Sequence, residues 1–356
     1  MKLLFALFIR NHKIFKMTKS GVFSLLMSVL LISFGLSSCS GELRNSGKPM
    51  SIGSTAEMLA VTQNEQQWEN QIGQSIKKYF AADMYGLPQA EPTFKILHIK
   101  ADNLSDVFKS ERNILIVNIN PKVKEPKIVV ERNKWAAPQL VFKITAPTPM
   151  SFVKVLKVKK DYLIEKYLAF ERQRILKVFK SSLDNKVMKK IKNNFSFTLD
   201  VPSGFYVAKT TPSFMWIRHE ANLYSQGIII ISVPYKDTSQ FSRDRILLQI
   251  QNFQLHFIPG PSNGSYMSLD RKFVIPKEAL VTDFPTHYAV EIRGLWRVKN
   301  DFMGGPFISY TFLNKNTNRI VTLFGYIYYP NHKKRNLLLQ VESILYSVKF
   351  NKAGGK

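Results

Sequence analysis

The chain has one cysteine, Cys39, which ends the tetrapeptide Leu36-Ser37-Ser38-Cys39 directly after an uncharged apolar run, Gly21 to Leu36. Two constraints on folding follow. Without a second cysteine no intramolecular disulfide can form, so the folded body must be held by packing alone. Residues 1–39 also have the layout of a secretory signal, whose apolar run is too short to span a bilayer comfortably and which stands apart from the fold.

An aliphatic residue, two small residues and a cysteine make the pattern read by the lipoprotein signal peptidase. The thiol is alkylated by a diacylglyceryl group, the small residues let the chain enter the peptidase, and Cys39 becomes an acylated N-terminus. Several acyl chains hold a protein on a membrane where one does not. The competing expectation is an uncleaved N-terminal membrane helix. Lys2, Arg10, Lys13 and Lys16 form a long lead-in, whereas Met17-Thr18-Lys19-Ser20 is a conventional n-region, which points to Met17 as the start.

Charge narrows the partners. Lys and Arg number 51 against 25 Asp and Glu, a formal net charge of +26. Only five of those cations precede Cys39, so the exported part stays strongly basic. An exported, membrane-held protein seldom meets nucleic acid. Its compartment offers anionic lipid head groups, lipopolysaccharide phosphates and acidic glycans. A solvated basic surface with no specific partner is the competing reading.

Residues 40–54, rich in Ser and Gly, read as a flexible tether. Glu57 to Thr62 reads as a first strand, and Trp68, Ile72, Ile76 and Tyr79 recur at helical spacing. Strands are expected at Phe94 to Lys100, Asn113 to Ile119, Lys127 to Glu131 and Gln139 to Thr145. A long helix from Pro149 carries Ile164, Leu168, Ile175 and Phe179 on one face and breaks near Ser181-Ser182. From Lys154 to Lys192 cations dominate, which reads as a solvated helix face or, less favoured, a surface lying on anionic lipid.

After 192 the pattern restarts. Strands are expected at Phe195 to Val201, Ser213 to His219 and Gly227 to Val233, then a helix with Ile246, Ile250, Phe253 and Phe257 in phase. His287 to Val298, Phe307 to Asn314 and Ile320 to Tyr329 read as an antiparallel meander, closed by a helix with Leu338, Val341, Leu345 and Val348. The order predicts an α+β fold of antiparallel sheets covered by helices on one face, divided into halves of similar design at 55–192 and 193–356.

Catalytic patterns are sparse. Gly260-Pro261-Ser262-Asn263-Gly264 matches G-x-S-x-G, with Asp270 or Asp283 and then His287 in hydrolase order, so a serine hydrolase using Ser262 is the alternative function. A nucleophile elbow needs a strand before the serine and a helix after it, and this sequence reverses that order. The histidines are scattered singly, with no metal-ligand spacing, and no cofactor motif occurs.

The most unusual composition is Arg293-Gly294-Leu295-Trp296 followed by Asp301-Phe302-Met303-Gly304-Gly305-Pro306-Phe307. Arg293, Trp296, Met303, Gly304, Gly305 and Phe307 are the candidate ligand or partner surface, with the arginine reading an anion and the aromatics stacking on a sugar or acyl chain. The bland reading is a packed hairpin connection with Trp296 in the core.

These motifs, with Leu87-Pro88-Gln89-Ala90-Glu91-Pro92, Trp135-Ala136-Ala137-Pro138-Gln139 and the closing Lys334-Arg335 with Glu342, resemble an uncharacterised lipoprotein family of the Bacteroidota. The resemblance covers most of the chain after Cys39 and implies a Gram-negative envelope protein of no assigned activity. Ser40-Gly41-Glu42 lacks the dense acidic signal associated with surface export in that group, which places the protein on the periplasmic face of the outer membrane. The expected function is a non-enzymatic binding or scaffolding module for an acidic glycan, a lipid or another envelope protein.

Overall fold

The computed structural model describes residues 47–350; the apolar run, Cys39 and the start of the expected tether lie outside the described residues. Met50 and Ile52 make parallel bridges to Ala137 and Glu111, so the described end of that tether is tied to the fold. Next come β1 (Glu57–Thr62), the short helices α1 (Glu65–Glu69) and α2 (Gln71–Phe80), β2 (Lys95–Lys100), the single turn α3 (Asp106–Lys109), β3 (Asn113–Ile119), β4 (Lys127–Arg132) and β5 (Leu140–Ala146). The helix expected around Trp68 to Tyr79 is divided, because Asn70 is extended and leaves Trp68 in α1.

These strands form a sheet in the order β2-β1-β3-β5-β4. Strands β2, β1, β3 and β5 run parallel and β4 alone is antiparallel, which corrects the expectation of antiparallel pairing throughout. The cause is two-sided burial, the usual condition of parallel strands. In β1, Met58 and Ala60 face the main core, while Leu59 and Val61 face a smaller cluster with Leu97 and Trp135.

Helix α4 (Pro149–Phe179) is the longest element, about 46 Å at the standard rise. Thr148 starts it by accepting the Ser151 N–H at 3.2 Å, with Pro149 in the first turn, where its missing N–H costs nothing. A single tight turn at Lys180–Ser182 ends it, where the sequence places the break.

The chain continues through α5 (Asn185–Phe195), β6 (Phe197–Thr198), β7 (Phe205–Thr211), β8 (Phe214–Glu220), β9 (Ser225–Pro234), α6 (Arg243–Phe257), β10 (Tyr266–Asp270), β11 (Lys277–Val281), β12 (Ala289–Lys299), β13 (Gly304–Asn314), β14 (Arg319–Tyr328), α7 (Arg335–Leu345) and β15 (Lys349–Phe350). The strand expected over Phe195 to Val201 shrinks to β6. Phe195 completes the helical stripe Val187, Ile191, Phe195, and Ser196 closes the helix in the left-handed region at φ 61°. Strands β7, β10 and β11 carry weaker patterns that sequence periodicity does not resolve.

The second sheet is antiparallel throughout, in the order β10-β12-β13-β14-β9-β8-β7, with β11 also pairing with β12. It is covered on both faces, not one. Ile228 and Ile230 of β9 enter the main core, while Ile229 and Ile231 enter a second cluster under α6. One half is thus built on a mostly parallel sheet and the other on an antiparallel one, so they are not two copies of one design. Helix α4 lies on β3 and β5, α7 lies on β9, β13 and β14, and the two helices pack on each other between the sheets.

Candidate functional site

Helix α4 sorts its charges by chemistry. Lys154, Lys157, Lys159, Lys166 and Lys177 stay exposed, as both the solvated-face and the lipid-facing readings require, but Glu171, Arg172 and Arg174 are buried at 0%, 3% and 7% exposure. Leu163, Tyr167, Phe170 and Arg174 recur at alternating steps of four and three, which sets Arg174 on the apolar stripe. Arg172 follows Leu168 by one turn and faces α7.

Glu171 and Arg174 close a cluster against the first sheet. Glu171 Oε1 accepts from Arg174 at 2.7 Å and from the Asn113 amide at 2.7 Å, and Oε2 accepts from Arg112 at 3.2 Å. Arg174 donates also to the backbone carbonyls of Pro138 at 3.1 Å and Arg112 at 2.6 Å. All three Arg174 nitrogens are engaged. Burial still pushes Arg174 down to about 10, against the pull of Glu171.

Arg172 belongs to a different cluster. It donates to Glu342 of α7 at 3.0 Å and to Glu165, lies 3.7 Å from Asp283, and stacks over the Tyr346 ring at 3.8 Å. Glu342 Oε1 also accepts from Arg293 at 3.1 Å and lies 3.1 Å from the Tyr310 hydroxyl. Arg293 pairs with Glu291 at 2.7 Å, and Tyr310 donates to Glu291 at 2.7 Å. Two buried atoms, Glu342 Oε2 and Arg293 Nη1, have no partner among the described residues.

Two guanidinium groups therefore face four carboxyls, Glu165, Asp283, Glu291 and Glu342. Burial raises Glu165 to about 7, only partly opposed by Arg172. Burial would raise Glu291 too, but Arg293 beside it overrides this and holds it below the usual range.

Arg172, Asp283 and Tyr346 also line a half-open cleft of about 610 Å³ between α4 and β4. Arg132 and Lys166 stand at this cleft with no carboxylate within ion-pair distance among the described residues. Tyr162, Phe170, Leu140 and Leu176 give it apolar walls. Its volume lies in the range of small-molecule sites, and its free cations suit an anionic group carried on an apolar body. The scattered cations of α4 hid it in the sequence; the detectable signal was Arg174 and Glu342 standing in apolar stripes.

The residues singled out from the sequence do not share one surface. The two-residue period of β12 puts Arg293 on the face toward α7 and Trp296 on the face toward α6, corrected here from a single groove. Trp296 is 4% exposed and donates to the Ile327 carbonyl at 3.1 Å, which is the packed reading. Phe307 is fully buried and stacks on Phe324 at 4.7 Å. Met303, Gly304 and Gly305 do come together, beside Trp296, at a shallow cleft of about 360 Å³. At Gly305 a Cβ would lie 2.0 Å from the Ile327 carbonyl oxygen, so close strand approach requires that glycine.

No triad forms around Ser262. Helix α6 precedes it and strand β10 follows it, and its hydroxyl donates to Asp301, while Asp270 accepts the Lys272 and Phe273 N–H groups and Asp283 faces Arg172. His287 makes no side-chain hydrogen bond to any of them. No group of His, Cys, Asp and Glu among the described residues is arranged to hold a metal ion. No described helix is long and apolar enough to cross a membrane.

The other motifs act as structural clasps. Glu91 accepts the Lys334 and Arg335 N–H groups at 2.6 and 3.2 Å, capping α7 from the far end of the chain, where its charge also favours the helix N-terminus. Gln139 is fully buried and donates to the carbonyls of Lys109 and Glu111 at 2.5 and 2.7 Å.

Comparison with known proteins divides the chain near the end of α4. Residues 51–180 match the model of a family described as Domain of unknown function (DUF8532), and residues 184–347 match Domain of unknown function (DUF4837). The Arg172–Glu342 pair therefore joins the two matched segments. No curated protein matches. A solved structure, the human StarD13 (DLC2) lipid transfer and protein localization domain, is similar at 12% identity over 46% of this chain and 94% of that one, with a TM-score of 0.22 that supports no inference. The chain thus matches two families, each of unknown function, in tandem.

Proposed function

We propose that this protein is a lipid-anchored envelope protein, held through acylated Cys39 on the periplasmic face of the outer membrane of a Gram-negative bacterium of the Bacteroidota. It acts there as a non-enzymatic binding module. The ligand is an acidic, partly apolar envelope component, seated in the cleft between α4 and β4. One observation carries this reading: Arg132 and Lys166 face a cleft of about 610 Å³ with no carboxylate paired to either among the described residues, beside the apolar walls of Tyr162 and Phe170. Arg172 forms the floor with its charge already matched by Glu342, Glu165 and Asp283, so Arg132 and Lys166 supply the attraction for an anion.

Fluorescence titration with the anionic probe 1-anilinonaphthalene-8-sulfonate tests the cleft. Arg132→Glu with Lys166→Glu is expected to weaken binding by more than tenfold without loss of fold, and unchanged affinity would overturn the assignment. A photo-crosslinker at Tyr162, activated in intact envelopes and followed by mass spectrometry, then identifies the natural occupant. The anchor has a separate test: Cys39→Ala should abolish acyl labelling and membrane retention.

A further inference from the structure

The loop that the sequence marks as unusual carries the most exposed aromatic side chain of the described residues. Phe302, in the turn between β12 and β13, is fully exposed, and Phe273, in the β10–β11 connection, is 74% exposed. Both border the same shallow cleft, beside Met303 and Pro330. Ile275 follows at 68% exposure, held in place by Tyr85, whose hydroxyl donates to its carbonyl at 2.5 Å. Water-exposed phenylalanines grouped at adjacent loop tips gain nothing for the folded state, since neither buries against the core.

Their surroundings are cationic. Arg271, Lys272, Arg297 and Lys299 line the neighbouring cleft on β10 and β12, which shares Asp270 and Arg297 with the first. Lys299 stands 5.7 Å over the Tyr266 ring. The nearby acids are already committed. Asp270 and Asp301 keep their charges while accepting neutral donors and form no ion pair with these cations among the described residues, and the four cations outnumber them.

We infer that this edge of the second sheet docks on an anionic lipid bilayer, with Phe302 and Phe273 entering the head-group boundary and Arg271, Lys272, Arg297 and Lys299 pairing with lipid phosphates. Charge complementarity selects the occupant, because aromatic tips ringed by cations suit an interface that is apolar below and negative above. This surface is distinct from the α4–β4 cleft, and the inference holds whatever that cleft binds. For an anchored protein the contact would fix orientation: the anchor sets the distance and the patch sets which face meets the bilayer.

The test uses the exported part, residues 40–356, so that neither acylation nor the apolar run contributes, with an environment-sensitive fluorophore on Phe302→Cys. Vesicles of phosphatidylcholine alone are compared with vesicles containing phosphatidylglycerol. A blue shift at position 302, with quenching by lipid-borne nitroxide, is expected on the anionic vesicles only. The same label on Val158→Cys, an exposed site on α4, should not respond. Adding Arg271→Gln and Lys272→Gln should weaken the response on the order of tenfold or more at low salt. Any of three outcomes overturns the inference: an unchanged signal at 302 on anionic vesicles, an equal response on neutral ones, or a concentration-dependent shift without vesicles, which would mean that a second copy covers the patch.

Discussion

Glu171 and Arg172 are neighbours in the chain, yet they serve two buried ion clusters of opposite character. The cluster of Glu171 and Arg174 is nearly closed, with Arg112 Nε at its edge the one buried atom that lacks a partner among the described residues. Its donors end on backbone carbonyls of Pro138 and Arg112 and on the Asn113 side chain, and both carboxylate oxygens of Glu171 are used. The cluster of Arg172 is built from side chains alone, has more acids than bases, leaves Glu342 Oε2 and Arg293 Nη1 without a partner among the described residues, and borders a cleft. Buried charge whose ion pair is tied into backbone carbonyls fixes a packing arrangement; buried charge with acids in excess of bases keeps a capacity to respond.

The largest effect should come from breaking the closed cluster. Glu171→Ala leaves Arg174 buried without its counter-ion and should cost about 3–5 kcal/mol, read as a lower urea midpoint at unchanged slope. A loss below about 1 kcal/mol would show that the cluster does not clamp α4 to the first sheet.

Glu342→Gln in the second cluster should cost less, about 1–3 kcal/mol. The amide oxygen still accepts from Arg172 and Arg293, and the position of the other oxygen is kept in size. If both variants lose equally, the contrast between closed and open clusters fails.

A third expectation concerns pH. The folded pKa of Glu165, about 7, stands above its ordinary value of 4.5, so the folded state holds this proton more tightly than the unfolded chain does. This carboxyl therefore makes stability fall as pH rises from about 4.5 to about 7, with the full penalty above that window. Glu165→Gln should flatten the slope, measured by denaturant titration at pH 5 and pH 8. A slope unchanged in the variant would assign the titration elsewhere.

The smallest effect on stability belongs to the cleft mouth. Lys166→Ala should shift unfolding by no more than about 0.5 kcal/mol, because that cation is exposed and forms no ion pair among the described residues. Binding of the anionic probe should nevertheless drop, and a variant that keeps full affinity would return Lys166 to the solvated surface.

Much of the element order was legible because packing leaves a local signature. The continuous run Gly227 to Val233 announced a strand buried on both sides, and Ile246, Ile250 and Phe253 announced α6. Strand direction was not legible: β1 and β3 look alike whether paired parallel or antiparallel, and their direction depends on where the intervening helices return the chain. The candidate surface failed for a related reason. Arg293 and Trp296 are three apart on a strand, an odd step that sends them to opposite faces, whereas the reading grouped them by proximity in sequence.

The sequence by itself determined the α+β class, the absence of a disulfide framework and the position of most helices and strands, because each rests on residue identity or on periodicity within a short window. Only the tertiary structure decided which charges are buried. Arg172 and Lys166 sit on the same basic helix and carry the same formal charge, and nothing local separates the pair that meets Glu342 from the cation that stands free in the cleft. That difference depends on α7 returning across α4 from 170 residues away, at a separation where no window of sequence carries the information.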